Sequence, residues 1–241
     1  MIVVPAFGDE MNKTRRMLTE AAIRLNEIGI AMLIPDLYGT GDSEGSFGDA
    51  NWDSWVEDLR AVRSWASQEG FVPCGFIAIR TGALLAVQCS SMPGSPALDA
   101  TVFWQPVRVG NTFVKQLLRL RTIANAVNAG ARESVEGLAA KIIGGEAVLV
   151  GGYELTAAHI RSLMPLTIDK LDDSGLGARY IIEVTRAEER VGDFVETFGS
   201  QNVDGTRYMG EPYWSSAETV CDHNVVNRTV EFFRARAFID A

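Results

Sequence analysis

Arg80 stands where catalytic chemistry would be sought. The run Cys74-Gly75-Phe76-Ile77-Ala78-Ile79 carries no charge, and Arg80-Thr81 leads at once into the Gly/Ala-rich apolar run from Gly82 to Val87. This pattern predicts a buried strand, a tight turn and a helix, the place where α/β proteins do their chemistry. In an elbow of the form G-x-S-x-G a reactive serine would occupy position 80; here the flanks are Ala78 and Gly82 and the centre is a guanidinium. Arginine stays protonated and cannot attack a carbonyl. At a helix amino terminus it could instead hold a carboxylate, phosphate or sulfate, because backbone N–H groups and five guanidinium donors converge there. The alternative is internal neutralisation by Asp9, Glu10 or Glu211, since a buried unpaired arginine costs several kcal/mol.

A set of nucleophile, histidine base and orienting acid is hard to assemble from the remaining residues. There are two histidines, His159 and His223. His223 falls where a triad histidine would follow the last strand, although a surface histidine at a helix start is the ordinary reading. An acid would follow the strand ending at Val184, where Glu188 and Glu189 are available, and helix-start glutamates are ordinary too. Ser43 belongs to a turn, while Cys89 and Ser90 lie about two helical turns past the elbow. Thr81 is better suited to offering its backbone N–H to an oxyanion. The catalytic candidates therefore reduce to His223 and Glu188, with Arg80 at the elbow.

Two further groups would complete a pocket. After the first strand, Phe7 and Gly8 would supply backbone donors, and Glu10 and Asn12 would face inward, though Asn12 also suits a helix N-cap. Trp104 and Gln105, at another strand exit, would line the floor unless Trp104 is core.

Hydrophobic periodicity supplies the elements that must position these residues. Ile2 to Val4 reads as a strand; Met17, Ala21, Leu25 and Ile28 mark one face of a helix after Asn12. Ile30 to Asp36 is a continuous apolar run with proline only near its exit, which predicts a central parallel strand. Trp55, Leu59, Val62 and Ala66 define an amphipathic helix within Trp52 to Trp65. The elbow follows, then a strand from Leu98 to Trp104. This alternation implies right-handed crossovers and a mostly parallel sheet with helices on both sides. From Val107 to Met164 the rhythm changes. Phe113, Leu117, Leu120 and Ile123 suggest a helical stripe, and Ile142 to Val150 a hairpin-like segment, so residues 107–164 are expected to form a cap inserted into a core of residues 1–106 and 165–241. A strand at Arg179 to Val184, a helix at Ala187 to Phe198, a strand at Thr206 to Met209 and a final helix from Ser216 to Phe238 complete the pattern.

Composition narrows the partners. With 22 Lys and Arg against 31 Asp and Glu, the formal net charge of -9 disfavours nucleic acid and anionic membranes. Cys74, Cys89 and Cys221 form neither a C-x-x-C pair nor an even set, so free thiols in the cytoplasm are expected, with no metal and no cofactor. The most apolar window, Phe71 to Met92, is interrupted by Arg80 and by Gly, Ser and Gln residues, so no membrane span is expected.

Several runs resemble a known family. Pro5 to Met17 (PAFGDEMNKTRRM), Ile34 to Ser43 (IPDLYGTGDS), Ile79 to Ala86, Phe103 to Val107, Gly151 to Leu155 and Glu211 to Trp214 are similar to the α/β-hydrolase-fold proteins called exosortase-A-system-associated hydrolase, type 2. The resemblance implies the α/β-hydrolase fold, with helices on both faces of the sheet and an oxyanion loop near Phe7 and Gly8. It also implies ester or acyl hydrolysis in a bacterial exopolysaccharide or exosortase system; the anion-site reading of Arg80 adds a small-molecule ligand with an acidic group, for instance an acylated or pyruvylated sugar, or a polypeptide carboxylate. Relative to that fold the chain starts at the third strand, so either two leading strands are absent or the reading frame was called short, and an exposed sheet edge is expected that would permit a homodimer. The residue chemistry favours a second reading, a degenerate binding or accessory protein holding an anionic ligand.

Overall fold

The computed structural model describes residues 1–72, 74–128, 133–170, 174–186, 203–216 and 218–236. β1 (Ile2–Val4) opens the chain, followed by α1 (Asp9–Asn26), α2 (Trp52–Gln68), β2 (Gly75–Ile79), α3 (Gly82–Ser91) and β3 (Ala100–Trp104). Next come α4 (Gly110–Asn128), α5 (Val135–Ile143), the antiparallel hairpin β4 (Val148–Val150) and β5 (Tyr153–Leu155), and α6 (Ala157–Leu163). β6 (Ala178–Thr185), β7 (Val203–Met209) and α7 (His223–Ala235) end the described chain.

The main sheet has the order β1-β2-β3-β6-β7, parallel throughout. Because strand side chains alternate, each strand feeds two apolar layers. Ile2, Val4, Phe76, Ala78 and Phe103 face one layer with α2, α3 and α6. Val3, Ile77, Ile79, Val102 and Trp104 face the other with α1 and α7. Burial on both faces is why these strands are continuous apolar runs rather than alternating ones. The architecture is the three-layer α/β arrangement expected from the sequence, a parallel sheet with helices on both faces.

Several expectations are corrected. The run from Ile30 to Asp36 is not a central strand. It joins the sheet at one isolated parallel bridge, Ile2 to Leu33, and lies outside β1, with Ile34 43% exposed. β1 is consequently fully buried and covered rather than an open edge. α1 starts at Asp9 with Gly8 as its cap, so Asn12 lies inside the helix rather than capping it. Of the predicted stripe on α4, Phe113 is buried but Leu120 and Ile123 are exposed; Val114 and Leu118 take the inward positions. Ile142 and Ile143 end α5, and the hairpin begins only at Val148. α7 begins at His223, capped by the Asp222 carboxylate, seven residues later than expected. The helix expected over Ala187 to Phe198, and Glu188 with it, lies outside the described residues. Among the described residues no helix is long and apolar enough to cross a membrane.

The elbow depends on one close approach. α3 starts against the exit of β1, where a Cβ on Gly82 would come within 2.3 Å of the Val4 carbonyl oxygen and 2.7 Å of that of Pro5. Only glycine lets the helix pack there without moving backbone. Gly82→Ala is therefore expected to destabilise the fold by about 1–3 kcal/mol or more, the range for overpacking a core. Urea denaturation measures this, and an unchanged midpoint would refute the constraint.

Candidate functional site

The turn after β2 keeps the shape of an elbow. Arg80 has φ 54°, a left-handed conformation that a non-glycine residue adopts at some cost. Its N–H donates to the Trp104 carbonyl, and its own carbonyl accepts from Val107, both at 3.0 Å. The bend is thus fixed by the neighbouring strand. Gln105 is also left-handed, with φ 44°. Its N–H donates to Ile182 O at 2.8 Å, and its Oε1 accepts from Val184 N–H at 2.6 Å, tying the end of β3 to β6.

The Arg80 side chain is engaged through all three of its nitrogens. Its Nε–H donates to Glu10 Oε2 at 3.1 Å and its Nη2 to Glu10 Oε1 at 3.2 Å, a two-pronged pair; Nη1 donates to the Gln105 carbonyl at 3.1 Å. The guanidinium carbon lies 4.6 Å from the centre of the Trp214 ring, within cation–π range. Both side chains of the pair are largely buried, Arg80 at 9% and Glu10 at 15% exposure. Burial pushes the Glu10 carboxyl above the usual glutamate range, and the Arg80 charge pulls it back part of the way. Of the three acids that could neutralise Arg80, the fold selects Glu10; Glu211 pairs with Arg186 at 2.7 Å instead.

Next to the elbow lies a crevice lined by Phe7, Gly8, Phe47, Trp55, Thr81 and Leu85, among others. Its volume is about 20 Å³, of the order needed for a single water. Thr81 Oγ1 accepts the Phe7 N–H at 2.9 Å, so a backbone donor expected to face an oxyanion is already satisfied internally. His159 closes an aromatic group beside the crevice. Its ring stacks on Phe47 (centroids 4.9 Å) and Trp55 (5.7 Å) and meets Phe7 edge-on (5.5 Å). The Thr156 N–H donates to His159 Nδ1 at 3.2 Å, which leaves the proton on Nε2. Nε2 has no well-formed hydrogen bond and only a poor approach to the Phe47 backbone. Burial lowers the His159 pKa to about 4, and the Phe47 backbone offsets little of this.

The residues singled out in the sequence thus separate into groups. Phe7, Gly8 and Thr81 meet at the crevice, while Glu10, Arg80 and Gln105 form the buried polar cluster beside it. Asn12 turns away, donating from Nδ2 to the Tyr153 hydroxyl at 2.7 Å and so holding the β4–β5 hairpin to α1. Trp104 is core on the opposite face of the sheet, its Nε1–H donating to Thr229 at 2.8 Å, and it is no pocket floor. His223 contacts Glu20 on α1 at 2.8 Å and takes no part in the Arg80 cluster. His159, Phe47 and Trp214 were missed as site residues. Nothing in their local sequence marks them as partners of Arg80 or of the crevice, and only the fold brings them to the elbow.

Neither a family model nor a curated protein matches the chain by sequence. Solved structures match it by shape. Est1E from Butyrivibrio proteoclasticus, solved with ferulic acid bound, aligns at TM-score 0.69 and 19% identity over 97% of this chain and 87% of its own. The α/β hydrolase GrgF from Penicillium sp. sh18 aligns at 0.63 and 16% over 98% and 90%. An esterase of Pyrococcus furiosus aligns at 0.62 and 16% over 97% and 80%. These likenesses establish the α/β-hydrolase fold for this chain.

Two measurements check the site. Glu10→Leu should destabilise the protein by about 3–5 kcal/mol, because it strands a buried guanidinium, whereas Glu10→Leu with Arg80→Met should lose much less; a double variant that loses, in urea denaturation, the sum of what Glu10→Leu and Arg80→Met lose singly would show that the two are not coupled. His159 binds a proton less readily folded than unfolded, so its contribution is whole above about pH 6.5 and is lost as pH falls toward about 4. The full difference approaches about 3 kcal/mol, and His159→Phe should flatten this part of the stability profile.

Proposed function

We propose that this chain is a non-hydrolytic protein on the α/β-hydrolase fold, a binding or accessory protein whose elbow has given up nucleophilic catalysis. The observation that carries this reading is the engagement of Arg80 by Glu10 and Gln105. A guanidinium cannot serve as nucleophile, and neither histidine lies in its cluster: His159 is packed among aromatic rings and His223 is bound to Glu20. The small crevice volume and the internal use of the Phe7 N–H favour the same conclusion.

The resemblance to the exosortase-A-system-associated hydrolases supports a setting in bacterial exopolysaccharide or protein-sorting systems, and the free thiols of Cys74, Cys89 and Cys221 favour a cytoplasmic one. An acylated sugar is the ligand class in keeping with that setting. Its acyl group would need the aromatic wall of the crevice to give way. An anionic ligand would have to displace Glu10 from Arg80, which makes it the less favoured occupant. Residues 107–164 would act as the cap over this region. A homodimer through the sheet edge would use Ile30 to Asp36, which lies outside β1.

Ester or acyl hydrolysis by a non-standard arrangement is the second reading. It is favoured by the left-handed backbone of Arg80, which keeps the conformation of a working elbow. A p-nitrophenyl ester series of increasing acyl length separates the two. The wild type is expected to show no turnover above background and no labelling by a serine-directed fluorophosphonate. Turnover abolished by that reagent would overturn the non-hydrolytic reading.

A further inference from the structure

Outside the elbow, one cluster joins groups whose combined chemistry the fold does not otherwise use. Glu20 on α1, Cys221 ahead of α7 and His223 at its start converge although about 200 residues separate them in sequence. The Cys221 thiol reaches Glu20 Oε2 at 3.3 Å, His223 Nδ1 lies 2.8 Å from Glu20 Oε1, and the sulfur and that nitrogen are 3.9 Å apart. A tetrahedral zinc ion with bonds of about 2.3 Å to sulfur and about 2.0–2.1 Å to nitrogen and oxygen holds such donors roughly 3.3–3.6 Å apart. The three separations bracket that range, so rotamer adjustments of about half an ångström would admit the ion.

We propose that Glu20, Cys221 and His223 form a binding site for a borderline-soft divalent cation, zinc above all, with the fourth position open to water. A thiolate, an imidazole and a carboxylate are the mixed donor set that suits zinc rather than magnesium or calcium. Thiolate and carboxylate together balance the ion's two charges. Cys221 and Glu20 are half-buried and His223 is exposed, so the ion can enter from solvent on the His223 side. Arg16 and Arg24 lie near enough to oppose the ion. Arg24 is partly engaged by Asn227, and the Asp222 carboxylate, though it caps α7, offsets some of their charge. Coordination expels the thiol proton to solvent and involves no oxidation or reduction. Bound there, the ion would cross-link the middle of α1 to the start of α7 on one face of the sheet.

The test is direct metal binding by the intact chain, freed of metal beforehand. Cobalt(II) should produce a thiolate charge-transfer absorption in the near ultraviolet, and zinc should displace it. Zinc should also raise Tm by mass action. Cys221→Ser, nearly isosteric, should lose the absorption, and Cys221→Ser and His223→Ala should each weaken zinc binding by about tenfold or more, the scale on which metal sites respond to altered ligation. Far-ultraviolet circular dichroism checks that the variants fold. No thiolate band in the wild type, or equal zinc affinity in wild type and both folded variants, would overturn the proposal.

Discussion

A positive charge buried at the turn between a parallel strand and its helix must be neutralised where it stands, and much of the surrounding structure follows from that need. The desolvation cost of a lone guanidinium is several kcal/mol. Glu10 answers it from the first turn of α1, which is possible because the chain turns at Gly8, with φ 59°, and enters the helix one residue later. The Gln105 carbonyl takes a third N–H, and Trp214 covers the face of the group. The pair is geometrically complete, but Glu10 is still held above its ordinary pKa because burial outweighs the attraction of Arg80. Such a pair adds little net stability, because desolvation of the two charges offsets much of their attraction.

The aromatic group beside the elbow works by different physics. Phe7, Phe47, Trp55 and His159 come from four separate segments and meet edge-on or stacked, the arrangements favoured by ring quadrupoles. His159 is the costly member, since its Nε2 proton has no good acceptor. Its ring nevertheless ties α6 to the loop after β1 and to α2. That position favours a neutral imidazole over an imidazolium, because burial penalises the charge.

The fold was largely legible because buried parallel strands are written as uninterrupted apolar runs, as at Phe76 to Ile79 and Val102 to Trp104. The same rule misled at Ile30 to Asp36, an apolar run that lies at the edge, with Ile34 left exposed. On α4 the helix was found but its inward face was misjudged, because Leu120 and Ile123 fit the period as well as Val114 and Leu118 do. At the site, the elbow and Arg80 were visible from local pattern, and Glu10 stood among three acids that local pattern could not rank. Choosing among them depends on where α1 begins, which Asn12 obscured by imitating a cap. Trp214 and His159 depend on tertiary packing alone.

The hydrogen bond from the Phe7 N–H to Thr81 Oγ1 has a consequence for which substitutions the elbow can accept. With a hydroxyl at the position after the elbow holding that donor, and an acid on α1 matched to a cation at position 80, each makes the others harder to exchange. Placing a serine at position 80 by itself would leave Glu10 buried without its partner and the Phe7 donor still occupied. Glu10, Arg80 and Thr81 therefore form one interlocked set, in which no member can be exchanged alone without stranding a buried polar group.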